Sequence, residues 1–435
     1  MWRCLLIPFL FLAHATDLRL VNAARHGDLK LIHSLLDSRV DVNAAQPDGE
    51  TALAWAVYRD DAEMTGVLID AGANVNAAND YGETPLTLAC QNADTAVVET
   101  LLKAGADAKA ARWDGETPLM IASSAGTVDA VKLLLAHGAE VNRAESRKGQ
   151  TALMWAVAEG HADVTRILVE HGADVNALSK SGFTPLMFAA VKGDMESARI
   201  LLDAKADVRR ALPDGTDALL IAAAYGRPAI AKALLDDGAT PNVKDQAGKT
   251  PLHAAAQAGN AGLVKDLLAR GADPNARLAP LTPEARKNTG FFRTNNGEAT
   301  PLILAARTGN AEVMRILADA GADPALKTED GTTVLMAAAG SGKMDAVKLA
   351  FGFGGDINAR NKSGQTVVHT AVFAPNVAEM EEVLKFLAEK GAKLDVKDTR
   401  GRSPLEILEL RTADTTAAMF RKLIAAQNSG TASVR

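Results

Sequence analysis

Residues 84–115 read TPLTLACQNADTAVVETLLKAGADAKAARWDG, and each part of that stretch has a structural meaning. The Thr84 hydroxyl suits a helix cap that accepts a main-chain N–H, and Pro85 suits the first helical position, where its missing N–H costs nothing. Leu86, Ala89 and Cys90 then fall on one apolar face at helical spacing. Asn92-Ala93-Asp94 interrupts the pattern, and Val97, Val98, Leu101 and Leu102 supply the inner face of a second helix. Gly105 is the helix stop, because the left-handed backbone that ends a helix favours glycine. The chain then extends to Trp113-Asp114-Gly115, whose Asp-Gly pair suits a tight hairpin turn. The unit is helix, turn, helix, hairpin finger.

The opening phrase of this unit returns eleven times, at Thr51, Thr84, Thr117, Thr151, Thr184, Asp217, Thr250, Thr300, Thr333, Thr366 and Ser403. Most intervals are 33 residues. Units that repeat at this period stack side by side and share a core, so the expectation is one all-α solenoid of about twelve helix pairs with short β-hairpin fingers. Residues 16–50 lack the opening phrase but keep the second half of the unit, as in Leu35-Leu36 and Asp41-Val42-Asn43, and read as an N-terminal capping repeat. Full repeats cover 51–276 and 300–402, separated by a finger insertion at 277–299. Residues 403–426 form a C-terminal capping repeat without a finger, and 427–435 a loose polar tail.

Hydrophobic residues make up 48% of the 435 residues and aromatics only 4%, so the core is built from Ala, Leu and Val. A net charge of −6 gives no basic face for general nucleic-acid binding. No stretch approaches the roughly 18 apolar residues of a membrane span.

The N-terminus is out of register with the repeats. Met1-Trp2-Arg3 gives a positive start, residues 4–13 are apolar, and Ala13-His14-Ala15 fits a small-residue cleavage site. We expect residues 1–15 to be a cleaved export signal; the alternative is an uncleaved apolar flap on an intracellular protein. Cleavage would remove Cys4 and leave Cys90, which occupies an alanine slot and reads as a buried small hydrophobe.

Period and phrase together resemble the ankyrin-repeat family over about residues 17–426. Residues 151–161 (TALMWAVAEGH) and 184–190 (TPLMFAA) look closer still to the Ala-rich ankyrin-repeat proteins that bacteria export. The resemblance implies a role in binding other macromolecules, with no chemistry of its own and no catalytic residue to carry over. The expected setting is the periplasm or the cell exterior, the expected partner another protein, and the expected state a monomer.

The residues that catch the eye as chemistry fall into repeat slots. His253 and His369 are the fourth letter of the opening phrase, where histidine hydrogen-bonds between repeats. His137, His161 and His171 recur at helix ends and turns without a carboxylate at metal-ligand spacing. Met120, Met154, Met187 and Met336 share one slot; they either fill gaps between helices or line up as a thioether stripe for copper(I), the ligand-handling alternative to a protein binder. Gly340-Ser341-Gly342-Lys343 lacks the glycine and the Ser/Thr that a phosphate loop needs, since Ala337 and Met344 stand there. No cofactor or metal site is expected, and no enzyme activity.

Finger tips are free of packing demands, so unusual residues there point to contact. Tyr81, Trp113, Asp114, Lys180 and Phe183 are such residues, Trp and Tyr offering large area with a polar handle. The insertion adds Arg286, Lys287, Phe291, Phe292 and Arg293, a basic loop with paired aromatics. It either grips an acidic partner or is a tolerated insertion. Other departures from the pattern are Lys205 at a helix-stop glycine, Asp217 at a capping threonine, and four extra residues around Pro375 that should lengthen a turn.

Overall fold

The computed structural model describes residues 17–281, 297–411 and 414–430. The expected export signal and residues 282–296 of the insertion lie outside the described residues. The chain forms two compact units, one ending at Lys205 and one beginning at Ala206.

The first unit stacks six helix pairs: α1 (Arg19–His26) with α2 (Leu29–Asp37), α3 (Ala52–Tyr58) with α4 (Ala62–Asp70), and α5 (Pro85–Asn92) with α6 (Thr95–Lys103). These are followed by α7 (Pro118–Ala125) with α8 (Val128–Ala136), α9 (Ala152–Glu159) with α10 (Ala162–Glu170), and α11 (Pro185–Lys192) with α12 (Met195–Asp203). The second unit continues with α13 (Ala218–Ala224) and α14 (Pro228–Asp236), α15 (Pro251–Ala258) and α16 (Ala261–Ala269), and α17 (Pro301–Thr308) and α18 (Ala311–Asp319). Its last three pairs are α19 (Val334–Ser341) and α20 (Met344–Gly352), α21 (Val367–Ala371) and α22 (Val377–Glu389), and α23 (Pro404–Arg411) and α24 (Asp414–Asn428).

The capping threonines act as the sequence implies. From Thr51 to Thr333 each hydroxyl accepts the main-chain N–H three residues on, at 3.1–3.4 Å. One residue later the helix begins, and two residues later a leucine enters the core: Leu53, Leu86, Leu119, Leu153 and Leu186 are at most 1% exposed. Burying each contributes roughly 1.5–3 kcal/mol. Ala56, Ala89, Ala122, Ala156 and Ala189 are all fully buried and let successive first helices approach closely. Asp217 does the work of the missing threonine, its carboxylate accepting from the Leu220 N–H at 2.8 Å.

Asparagines in the fingers clasp neighbouring repeats. The Asn275 Oδ1 accepts from the Asp323 N–H at 2.7 Å, while its Nδ2 donates to the Gly321 carbonyl at 3.0 Å. Asn76 does the same to Asp107 and Gly105, at 2.7 and 3.0 Å. Each clasp satisfies a main-chain donor and acceptor where a helix has just ended.

The described fingers make the expected hairpin turns but without strands. Among the described residues they contain no β-strand, only isolated bridges such as Ala45 to Thr51 and Ala144 to Thr151. Each finger closes its own turn, as where the Asn79 N–H donates to the Glu83 carbonyl at 3.0 Å, and further bonds run sideways. Tip N–H groups donate to the preceding finger, Asp80 to Asp48 at 2.9 Å, Lys180 to Lys148 at 2.8 Å, and Lys362 to Asp330 at 2.8 Å. A finger this short closes its own turn without forming a strand, and the sideways bonds tie it to its neighbour.

The other departures resolve locally. Lys205 adopts the left-handed backbone of the glycine it replaces, with φ of 65°, and Ala93 does so at an inter-helix turn with φ of 60°. Around Pro375 the extra residues lengthen the turn, as expected, but α21 also shrinks to 5 residues and α22 grows to 13. At the C-terminus α24 runs to Asn428, so Gln427 is helical and not part of a loose tail. Its side chain donates to the Ala392 carbonyl at 2.8 Å and accepts from the Leu394 N–H at 3.2 Å, closing the last finger.

Candidate functional site

Two adjacent fingers of the first unit carry the most exposed aromatic rings among the described residues, Trp113 at 70% and Tyr81 at 63%. They are tied together through the backbone: the Trp113 N–H donates to the Tyr81 carbonyl at 3.1 Å. The finger beneath them is stiffened by Arg112, which pairs with Glu116 at 3.0 Å and with Glu83 of the preceding finger. That guanidinium is mostly buried, so the ring bases sit on a fixed platform while the rings themselves meet solvent.

Asp114 is a correction. It was expected at the tip beside Trp113 but is only 6% exposed. Its carbonyl accepts from the Ser146 N–H at 2.7 Å and its carboxylate from the Glu116 N–H at 3.3 Å. It holds the turn, and no partner can reach it. Phe183 is half-buried, its ring 5.3 Å from that of Phe188 on α11. Lys180 is exposed, although its ammonium donates to the Ser146 carbonyl. Tyr81, Trp113, Lys180 and Phe183 thus belong to fingers of the first unit, whereas Arg286, Lys287, Phe291, Phe292 and Arg293 lie outside the described residues.

Sequence reasoning reads Trp55 as packing between repeats, but misses two features of this unit, the pairing of Trp55 with Tyr58 and the role of Glu145. At its N-terminal end Trp55 stands 5.6 Å edge-on from Tyr58, with the Arg25 guanidinium 5.1 Å from the Trp55 ring, and Tyr58 is 62% exposed. The signal was present, since Trp55 and Tyr58 sit three apart on one helix. The second is Glu145, whose carboxylate accepts main-chain N–H bonds from Arg147, Lys148 and Gln150 at 2.6–2.9 Å. It lies in a finger one residue longer than most, where the interval from Thr117 to Thr151 is 34. Burial raises its carboxyl, but the three backbone donors outweigh this and lower it overall.

The residues that resembled chemistry are structural. His253 is fully buried, with Nδ1 bonded to Thr250 and Nε2 to the Ala299 carbonyl at 3.1 Å. Burial pushes its pKa down to about 4, so the ring is neutral. His369 repeats the arrangement toward the Arg402 carbonyl at 3.2 Å, and burial lowers it too. Met120, Met154, Met187 and Met336 are at most 1% exposed and fill space between helices. Cys90 is fully buried, its thiol pushed up to about 12 by burial. Lys343 ends the glycine-rich turn but is committed to Glu379 at 2.6 Å, and Asp345 and Glu382 line the same open groove, which therefore repels phosphate. Among the described residues no group of three or more His, Cys, Asp or Glu side chains could hold a metal ion. No described helix is long and apolar enough to cross a membrane.

A family model described as ankyrin repeats (3 copies) matches residues 20–112, 108–179, 143–211, 186–278 and 302–398. No curated protein matches the chain.

Proposed function

Since this chain belongs to the ankyrin-repeat family, whose repeats are generally protein–protein interaction modules, we propose that it is a non-catalytic binder of another protein. The observation that carries the reading is the exposure of Trp113 and Tyr81 on adjacent, backbone-locked fingers. Large rings with a polar edge, held on a rigid base, lose little conformational entropy on docking and bury much area. Lys180 and Phe183, together with Trp55 and Tyr58 on α3, widen the surface within the same unit. The inserted residues Arg286, Lys287, Phe291, Phe292 and Arg293 form a second contact in this proposal. Recognition is by surface complementarity, with no cofactor and no turnover, by a monomer.

Affinity capture from the producing cells tests the reading. The full chain should retain a discrete protein that the Tyr81→Ala/Trp113→Ala variant loses. Equal capture by both would contradict it.

We further propose that the protein acts after export, on the strength of the charged-then-apolar start and the Ala13-His14-Ala15 site. The mass of the protein purified from its own cells tests this: an N-terminus at Thr16 supports export, and a retained Met1 opposes it.

A further inference from the structure

The two units differ in charge. Residues 1–205 carry 18 Lys and Arg against 27 Asp and Glu, while residues 206–435 carry 29 against 26. The second unit is therefore the one whose field tolerates an anionic partner. That excess lies in residues 282–296 and Arg435, so the described residues of the second unit balance, 25 basic against 25 acidic. The basic ones are nonetheless patterned, as appears when the fingers are aligned on their helix stops.

Six residues beyond the first unit's stops stand Ala45, Ala78, Ala111, Ala144 and Leu178, and beyond Lys205 stands Ala211 at the start of the second unit. Six beyond Gly238, Gly271, Gly321, Gly354 and Gly391 stand Lys244, Arg277, Lys327, Arg360 and Lys397. All five are exposed. Lys244, Lys327 and Lys397 make no ion pair among the described residues, and Arg360 has only carbonyl partners; Arg277 alone is paired, with Glu298 at 3.0 Å.

Neighbouring members are also close in space. The Arg277 guanidinium donates to the Lys327 carbonyl at 2.8 Å, and the Arg360 guanidinium to the Lys397 carbonyl at 2.5 Å. The charges thus form a row across successive fingers, one per repeat. Asp245, Glu329 and Asp398 stand in the same fingers, so the row is narrow and is no broad basic patch.

We infer that this row binds an extended acidic segment of a partner protein with a carboxylate at every third residue. The inference rests on the protein-binding reading above and specifies the partner's chemistry. Packed helices lie about 8–10 Å apart, and an extended chain advances about 3.1–3.6 Å per residue, so one repeat spans about three partner residues. In a polyproline-II conformation, with three residues per turn, such carboxylates share one face. A nucleic acid strand fits less well, because every one of its residues carries a charge and some would meet the acidic residues between the basic ones.

Fluorescence anisotropy on the full chain tests this. The probe is a labelled 15-residue peptide with glutamate at every third position in a Pro/Ser background. Its comparators are a peptide of the same composition with its glutamates contiguous, and a 15-nucleotide single strand. The periodic peptide should bind roughly tenfold tighter than either, and more weakly as salt screens the row. Lys244→Ala/Lys327→Ala/Lys397→Ala, which installs the first unit's alanines at exposed positions, should weaken it by roughly tenfold with an unchanged melting temperature. A Lys-to-Glu triple at the same positions should abolish it, and Trp113→Ala should leave it intact. Equal affinity for the contiguous peptide, tighter binding of the nucleotide strand, or indifference to the lysine variants would overturn the inference. If the peptide fails while protein capture through Tyr81 and Trp113 persists, only the inference falls. If capture ignores Tyr81 and Trp113 while the peptide binds, the proposed tip surface falls instead.

Discussion

The main-chain N–H of Trp113 donates to the carbonyl of Tyr81 at 3.1 Å, joining two fingers whose rings are 70% and 63% exposed. The bond leaves the side chains out of the folding core. Trp113→Ala and Tyr81→Ala should therefore change stability by less than about 0.5 kcal/mol. Each should weaken partner binding by roughly tenfold or more, as anchor residues do. Denaturation and binding titrations of the same preparations check the pair of outcomes.

Lys205 and Ala93 sit in the left-handed region, at φ of 65° and 60°, where equivalent positions elsewhere are glycine. A side chain there costs about 1–2 kcal/mol, part of which a glycine returns through the entropy of the unfolded chain. Lys205→Gly and Ala93→Gly should each stabilise by about 0.5–1 kcal/mol in urea unfolding. Gly172→Ala, at φ of 83° with nothing within 4 Å of an added Cβ, should do the reverse through backbone strain alone.

Asp217 is buried at a helix N-terminus, and desolvation raises its pKa to about 6 even though backbone N–H donors favour the charge. Its folded pKa lies above the unfolded one, so its stabilising contribution is full below about pH 4 and is lost as pH rises through about 6. The difference is about 3 kcal/mol. Asp217→Thr keeps a cap without the charge. It should match the parent near pH 4 and exceed it at pH 8, as thermal melts across that range would show.

His253 acts with the opposite sign in an overlapping window. Burial lowers its pKa to about 4, so its contribution is full above about pH 6.5 and is lost as pH falls through 4. His253→Leu should lower stability at pH 7, since Thr250 and Ala299 lose their partner, yet flatten the slope between pH 6.5 and 4. A double variant with Asp217→Thr separates the two groups.

Asn275 clasps the next repeat through two hydrogen bonds, at 2.7 and 3.0 Å. Asn275→Ala should cost about 1 kcal/mol in unfolding experiments, because a main-chain donor and acceptor pass from the clasp to water.

Helix pairs and caps were legible because each local cue recurs: the Thr84 hydroxyl, Pro85 and the glycine at 105 act within one unit, and their copies act alike. Asp217 could be foreseen as a variant cap, since an aspartate accepts the same N–H bond. What could not be foreseen depends on bonds between units. Asp114 reads as a tip residue until its carbonyl is seen to receive the Ser146 N–H from the next finger. The fingers read as hairpins and close as such, Asn361 to Gln365 for example, but the added sideways bond from Lys362 to Asp330 could not be read within one unit. Exposure at the proposed site was legible where solvent decides it, at Tyr81 and Trp113, and illegible where packing does, at Phe183 against Phe188. The basic row from Lys244 to Lys397 was present in the sequence but hidden, because it emerges only in finger register and not in the helix phrase that dominates the repeat.

The central claim, that the first unit's finger tips are the partner surface, is tested most directly by site-specific photo-crosslinking in the producing cells. A benzophenone side chain would be placed in turn at Tyr81, at Trp113 and at Leu410, which is 80% exposed on α23 in the other unit. The account predicts that positions 81 and 113 yield the same protein adduct and that position 410 does not yield it. An adduct of that kind at 410 as readily as at 113, or none at either finger tip, would contradict it.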